Sequence, residues 1–205
     1  ESHPSTVMSQ FNLGSFLIEH GKPAEGVPMV QRASAWFDSN RPEGDAKALV
    51  ARSVLAYGLE DQGDLDGAER LLRGLLATQE RLGGPGAPDT YAPRNNLGML
   101  LMKRGRYADA LVEFDTLLAQ VQKRLGAEHP FAAIFASNRG ECLAKLGRLE
   151  DARRVLEDSH TRLQARFGAD HARTRTAATR LAAVYARLGM TAQARALQTP
   201  ASTQP

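Results

Sequence analysis

The stretch Asn95–Ala110, NNLGMLLMKRGRYADA, carries five landmarks: Leu97, Gly98, Leu101, Gly105 and Ala110. Forty-two positions later stand Arg139, Gly140, Leu143, Gly147 and Ala152; forty-two earlier, Leu55, Ala56, Leu59, Gly63 and Ala68. One more step each way gives Leu13, Gly14, Leu17, Gly21 and Gly26, and Leu181, Ala182, Tyr185, Gly189 and Ala194. Five copies therefore share one register without an insertion. A fixed period of this length marks a stack of units that bury their apolar faces on one another.

Within each copy the apolar residues fall at helical spacing, and Gly ends the first helix by taking the left-handed conformation. The expected pairs are Ser5–His20 with Pro23–Asn40, and Asp45–Gln62 with Leu65–Leu82. Asp89–Arg104 with Tyr107–Leu125, Pro130–Leu146 with Leu149–Phe167, and Ala172–Leu188 with Thr191–Leu197 follow. Val7, Phe11, Leu13, Phe16 and Leu17 form the inward stripe of the first helix, with Val27, Val30, Ala33 and Phe37 facing it. Trp36 and Phe37 read as core. Pro28 lies past the first turn and should kink or delay its helix, whereas Pro93 falls where proline is tolerated. Asp64 is placed to cap the helix after it. Small residues at Gly14, Ala56, Gly98, Gly140 and Ala182, and at Ala68, Ala110, Ala152 and Ala194, let paired helices approach to about 8–10 Å.

The reading is all-α: an α-solenoid of five helix hairpins forming a right-handed superhelix with a concave groove. It is a single array over residues 1–198, with repeats at about 3–44, 45–86, 87–128, 129–170 and 171–198, and a flexible tail at 199–205. The Gly-rich link 83–88 is a loop, because the register continues across it. The chain begins at Glu1, at a mid-loop position of the repeat, which predicts an upstream extension and apolar surface exposed on the first helix.

Composition sets the outer limits. The chain has 205 residues, 42% hydrophobic and 24% charged, an ordinary globular balance. No apolar run reaches the roughly 18 residues of a membrane span, and no signal peptide is visible. A single cysteine, Cys142, cannot form an internal disulfide and fits a reducing, cytoplasmic compartment. Lysine occurs only at positions 22, 47, 103, 123 and 145, an Arg bias associated with GC-rich bacterial genomes. Net charge is +3 and uneven: residues 1–88 hold 8 Lys/Arg against 12 Asp/Glu, residues 89–205 hold 18 against 11. The second half is basic enough to attract an acidic partner.

These columns resemble the tetratricopeptide repeat: Leu, a small residue, Leu or Tyr, Gly, then Ala five positions later. The period of 42, with LGAEHP at Leu125–Pro130 and FGADHA at Phe167–Ala172, looks like the long-helix variety of kinesin light chains and bacterial multidomain signalling proteins. HEAT-type repeats are of similar length but lack this Gly-to-Ala spacing. The resemblance implies a non-enzymatic protein- or peptide-binding module, the regulatory or scaffold portion of a longer bacterial signalling protein such as a Ser/Thr kinase. It also implies that the first helix of each pair lines the groove. Asn12, Asn96 and Asn138 then match a position that contacts peptide backbone, and an amide can serve both groups of a peptide bond. Val54 and Arg180 depart from it.

The groove residues expected on this reading are Asn95, Asn96, Lys103, Asn138, Arg139, Lys145, Arg180 and Arg187. One column changes sign along the array, from Glu19 and Asp61 to Lys103, Lys145 and Arg187. With Arg94, Arg139 and Arg180 adding charge, copies three to five suit an acidic peptide or a C-terminal carboxylate, and copies one and two serve as scaffold. A competing reading is a nucleic-acid-binding helical repeat using the Arg-rich second half, but aromatics are 6% and do not interleave with Arg. No cofactor is expected: phosphate-loop, zinc-protease and serine-hydrolase strings are absent. His3, His129 and His171 recur once per repeat, too far apart for one metal ion, and read as loop residues. Cys142 shares an apolar column with Phe16, Leu100 and Val184 and reads as a buried structural thiol.

Overall fold

Four of the first helices, those of copies one, two, four and five, begin at a side-chain cap. His3, His129 and His171 accept, through Nδ1, the backbone N–H groups of Ser5, Phe131 and Arg173 at 3.3, 3.2 and 3.2 Å. Asp45 does the same for Lys47 and Ala48 at 2.9 and 3.2 Å. The recurring histidines are therefore N-caps of three separate helices, satisfying amides that have no intrahelical partner. Asp64 accepts from the Gly67 N–H at 2.9 Å, as its position predicts.

The computed structural model describes residues 3–198; the expected tail at 199–205 lies outside the described residues. Its helices are α1 (Pro4–Glu19), α2 (Pro23–Asn40), α3 (Ala46–Gln62), α4 (Leu65–Gly83), α5 (Tyr91–Lys103), α6 (Tyr107–Leu125), α7 (Pro130–Lys145), α8 (Leu149–Phe167), α9 (Ala172–Arg187) and α10 (Thr191–Gln198). Among the described residues there is no strand.

The turn inside each hairpin repeats one geometry. Gly21, Gly63, Gly105, Gly147 and Gly189 have φ between +73° and +88°, where a Cβ is disfavoured. The residue after each glycine then donates its N–H to the landmark carbonyl five positions back: Leu17, Leu59, Leu101, Leu143 and Tyr185, at 2.8–3.0 Å. This closes the helix end and reverses the chain.

The prolines act differently from one another. Pro28 does not delay α2, which starts at Pro23. The bond it removes is to the Ala24 carbonyl, and both residues are exposed, so that oxygen is left open to solvent. Pro93 cannot donate to the carbonyl of Asp89. The chain takes a 3₁₀ turn over Pro88–Thr90 instead, and α5 begins at Tyr91 and not at Asp89.

The chain divides into two compact units, Glu1–Leu100 and Leu101–Pro205. In the first, α1 packs on α2, α2 on α3 and α3 on α4. Val7, Ala33, Phe37, Ala48 and Ala51 form one buried cluster, with Met8, Phe11 and Trp36 at its edge. Ile18, Val27, Val30 and Leu55 form another. In the second unit the order continues from α6 to α10. Its core joins Leu143, Ala152, Leu156, Leu181 and Val184, with Leu163, Ala133 and Ala177 beside it.

One part of the inward stripe is corrected. Leu13 and Phe16 are 51% and 55% exposed. Their counterparts one repeat on, Leu55 and Gly58, are buried, as are Leu97, Leu100, Cys142, Leu181 and Val184. That column buries on the second helix of a preceding hairpin, and no described helix precedes α1.

In the first hairpin the two helices approach backbone to backbone. A Cβ on Gly26 would lie 2.4 Å from the Gly14 carbonyl oxygen. Gly26→Ala is therefore expected to destabilise the first unit by about 1–3 kcal/mol. Gly74, inside α4 with nothing within 4 Å, is the control. Gly74→Ala should stabilise by about 0.5–1 kcal/mol. Urea midpoints of the two variants check both signs.

Candidate peptide-binding site

On α7, Ile134, Asn138, Glu141 and Lys145 share one side at helical spacing. On α9, Thr176, Arg180, Ala183 and Arg187 repeat those positions 42 residues later. Arg180 joins the helices. Its Nη1 donates to Asn138 Oδ1 at 2.8 Å and to Ser137 Oγ at 3.0 Å, and its Nε sits 2.6 Å from a Glu141 carboxylate oxygen. Its side chain is 16% exposed. Burial pulls the guanidinium below its ordinary pKa, and the Glu141 carboxylate opposes this.

Above this network is a cleft of about 170 Å³. Ile134, Leu163 and Ala172 supply its apolar lining, and Ser137, Asn138, Arg173, Thr176 and Arg180 its polar lining. The cleft is thus lined by an oriented amide, hydroxyls and guanidinium groups. It contains no nucleophile–base pair.

The eight expected groove residues do not all come together here. Asn138 and Arg180 line the cleft. Lys145 is exposed, and among the described residues no hydrogen bond or ion pair involves it. Arg187 donates to the Ala144 carbonyl at 2.6 Å, closing the last turn of α7. Lys103 is exposed at the end of α5. Asn95 and Asn96 lie in the first unit, where the Asn95 amide faces Asn96 Oδ1 at 3.4 Å.

Arg139 is corrected. Its Nε pairs with Asp115 on α6, and it lines a different hollow with Leu118 and Val155, away from the α7–α9 cleft. Its aliphatic stem packs while the charged head finds a carboxylate on the neighbouring helix. Arg94, counted among the groove cations, is 8% exposed and paired with Glu80. Sequence reasoning passed over Glu141, Arg173 and Thr176. The signal for Glu141 was there: it stands on the Asn138 side of α7, one repeat short of Arg180's own turn.

Cys142 is fully buried and donates to the Tyr107 carbonyl at 3.1 Å. Burial first, then the charges of Asp115 and Glu141, raise its pKa from 9.0 to about 11, with Arg139 opposing. It is a structural thiol.

Residues 53–124 and 95–165 match the tetratricopeptide repeat, and so do residues 131–201. The chain belongs to the tetratricopeptide-repeat family. The fold expectation of paired helices in sequence order is met, and tetratricopeptide repeats are protein-interaction modules. Solved structures agree on the fold. A putative kinesin light chain of Podosopora anserina with nearly identical TPR-like repeats is 21% identical over 100% of both chains, with a TM-score of 0.78. BtubC from P. vanneervenii is 18% identical, covering 95% of this chain and 77% of that one, with a TM-score of 0.78. A Rap protein complexed with competence and sporulation factor is 13% identical, covering 97% and 63%, with a TM-score of 0.62. No curated protein matches this sequence. Among the described residues no helix of this tetratricopeptide-repeat chain is long and apolar enough to cross a membrane.

At pH 8 a thiol pKa of about 11 in place of 9.0 lowers the thiolate fraction about a hundredfold. Cys142 should therefore react with an aromatic disulfide reagent at least that much more slowly in the native chain than in urea. Equal rates in the two conditions would contradict its burial.

Proposed function

We propose that this chain is a non-catalytic binding module whose second unit holds an extended peptide carrying Asp or Glu, or a C-terminal carboxylate, across α7 and α9. The observation that carries this is the fixed pair Asn138–Arg180 beneath the α7–α9 cleft. Arg180 is neutralised locally by Glu141, so it orients the amide more than it sets the sign. The sign comes from exposed Arg173 at the rim and from Lys145 one face-turn away. Cations so placed select against basic partners and raise the association rate.

The wider context in this reading is the regulatory or scaffold portion of a longer bacterial signalling protein, in the cytoplasm. The Rap structure, solved in complex with competence and sporulation factor, supports an exogenous partner for an array of this kind. An array that buries its apolar faces between hairpins keeps the outer columns of its first helices available for such a partner.

The test is binding of a displayed acidic peptide library to wild type and to Lys145→Glu/Arg173→Glu. The double variant should bind enriched peptides at least about tenfold more weakly, a loss of about 1.4 kcal/mol. Raising salt should weaken wild-type binding and leave the variant little changed. Unchanged enrichment on the variant would remove the second unit as the acidic-peptide site.

A further inference from the structure

The first unit carries a different surface. On α3, Val50, Val54, Tyr57 and Asp61 lie on one side at i, i+4, i+7 and i+11. Val50 and Tyr57 are 51% and 55% exposed. The equivalent positions on α9 are Thr176 and Ala183, so these large apolar groups are no requirement of the repeat. On α1, Met8 and Phe11 sit half-buried at the edge of the same core. The 42-residue step that joins Asn138 to Arg180 pairs Met8 with Val50 and Glu19 with Asp61. Glu19 and Asp61 are exposed, and among the described residues no hydrogen bond or ion pair involves either.

We infer that this α1–α3 face is a docking surface for a partner-protein segment that combines large apolar side chains with Lys or Arg. The apolar part of the segment covers Val50 and Tyr57, and its cations meet Glu19 and Asp61 one helical turn beyond. Burying two half-exposed apolar side chains supplies the attraction, and two unpaired carboxylates of like sign supply the selectivity. The same carboxylates repel nucleic acid and anionic membrane surfaces. An acidic segment of the kind assigned to the second unit is repelled too, so this inference does not rest on that reading. On α3 the residues that pack on the neighbouring helices, Ala48, Ala51 and Leu55, are already buried, and Val50 and Tyr57 lie outside them.

The experiment uses the full chain and a random peptide library displayed on phage. Wild type should enrich sequences pairing Leu, Phe, Trp or Met with Lys or Arg. A synthetic peptide from that pool should bind at least about tenfold more weakly to Val50→Ser/Tyr57→Ser and to Glu19→Lys/Asp61→Lys. All four positions are on the surface, and circular dichroism should show unchanged helix content in both variants. Lys145→Glu/Arg173→Glu should leave this peptide's affinity unchanged, which separates the two surfaces. Three results overturn the inference: no apolar-basic enrichment on wild type, affinity unaffected by either first-unit variant, or equal binding of a control peptide whose apolar residues are replaced by Ser.

Discussion

The fold depends on how closely the two helices of each hairpin approach. In the first hairpin this is backbone against backbone: a Cβ on Gly26 would stand 2.4 Å from the Gly14 carbonyl. In the fourth, Gly140 makes room for Leu156, whose Cγ would meet an added Cβ at 2.6 Å, and Ala152 is fully buried nearby. Close contact is thus reached with different partitions of bulk between the two helices. What stays constant is the turn, where a positive-φ glycine lets the next N–H reach the landmark carbonyl. Contact distance and turn geometry together consume the inward columns of both helices. The outward columns of the first helices are left without a structural duty, and chemistry can vary there at little cost to stability.

That division explains what was legible in the sequence. Helix number, order and register follow from constraints that recur every 42 residues, so five weak signals add. Leu13 and Phe16 misled because burial belongs to a pair of helices, and no described helix precedes α1 to cover the column in which Leu55 and Leu97 are buried. The start of α5 shifted because Pro93 removes a donor four residues after the expected start at Asp89, an effect of one missing N–H. The recurring histidines were visible as a pattern, but their role was not. Imidazole is an uncommon cap, and only coordinates show Nδ1 aimed at the amide two residues on.

The candidate sites were legible as columns and illegible as charges. Arg139, Arg94 and Arg180 all looked like available cations. Each is paired, with Asp115, Glu80 and Glu141 respectively, from 14 to 39 residues away along the chain. A guanidinium reaches several ångströms from its own backbone and takes whichever carboxylate geometry offers, so its sign in the sequence says little about the field outside. Short offsets on one helix are readable; tips that cross to a neighbouring helix are not.

The paired arginines still shape what remains. Arg180 fixes the Asn138 amide before any ligand arrives, and that ordering need not be repeated on binding. Because Glu141 cancels most of its charge, the net sign of the α7–α9 face is set by a few exposed side chains, Arg173 and Lys145 among them. On the α1–α3 face the same repeat positions carry Glu19 and Asp61, with Tyr57 and Val50 where the second unit has Glu141 and Ile134. One backbone pattern therefore presents opposite chemistry in its two units. On the two proposed readings, discrimination between partners needs no change of fold: a segment favoured by one face would meet like charge on the other, and that repulsion would contribute to specificity as much as the attraction.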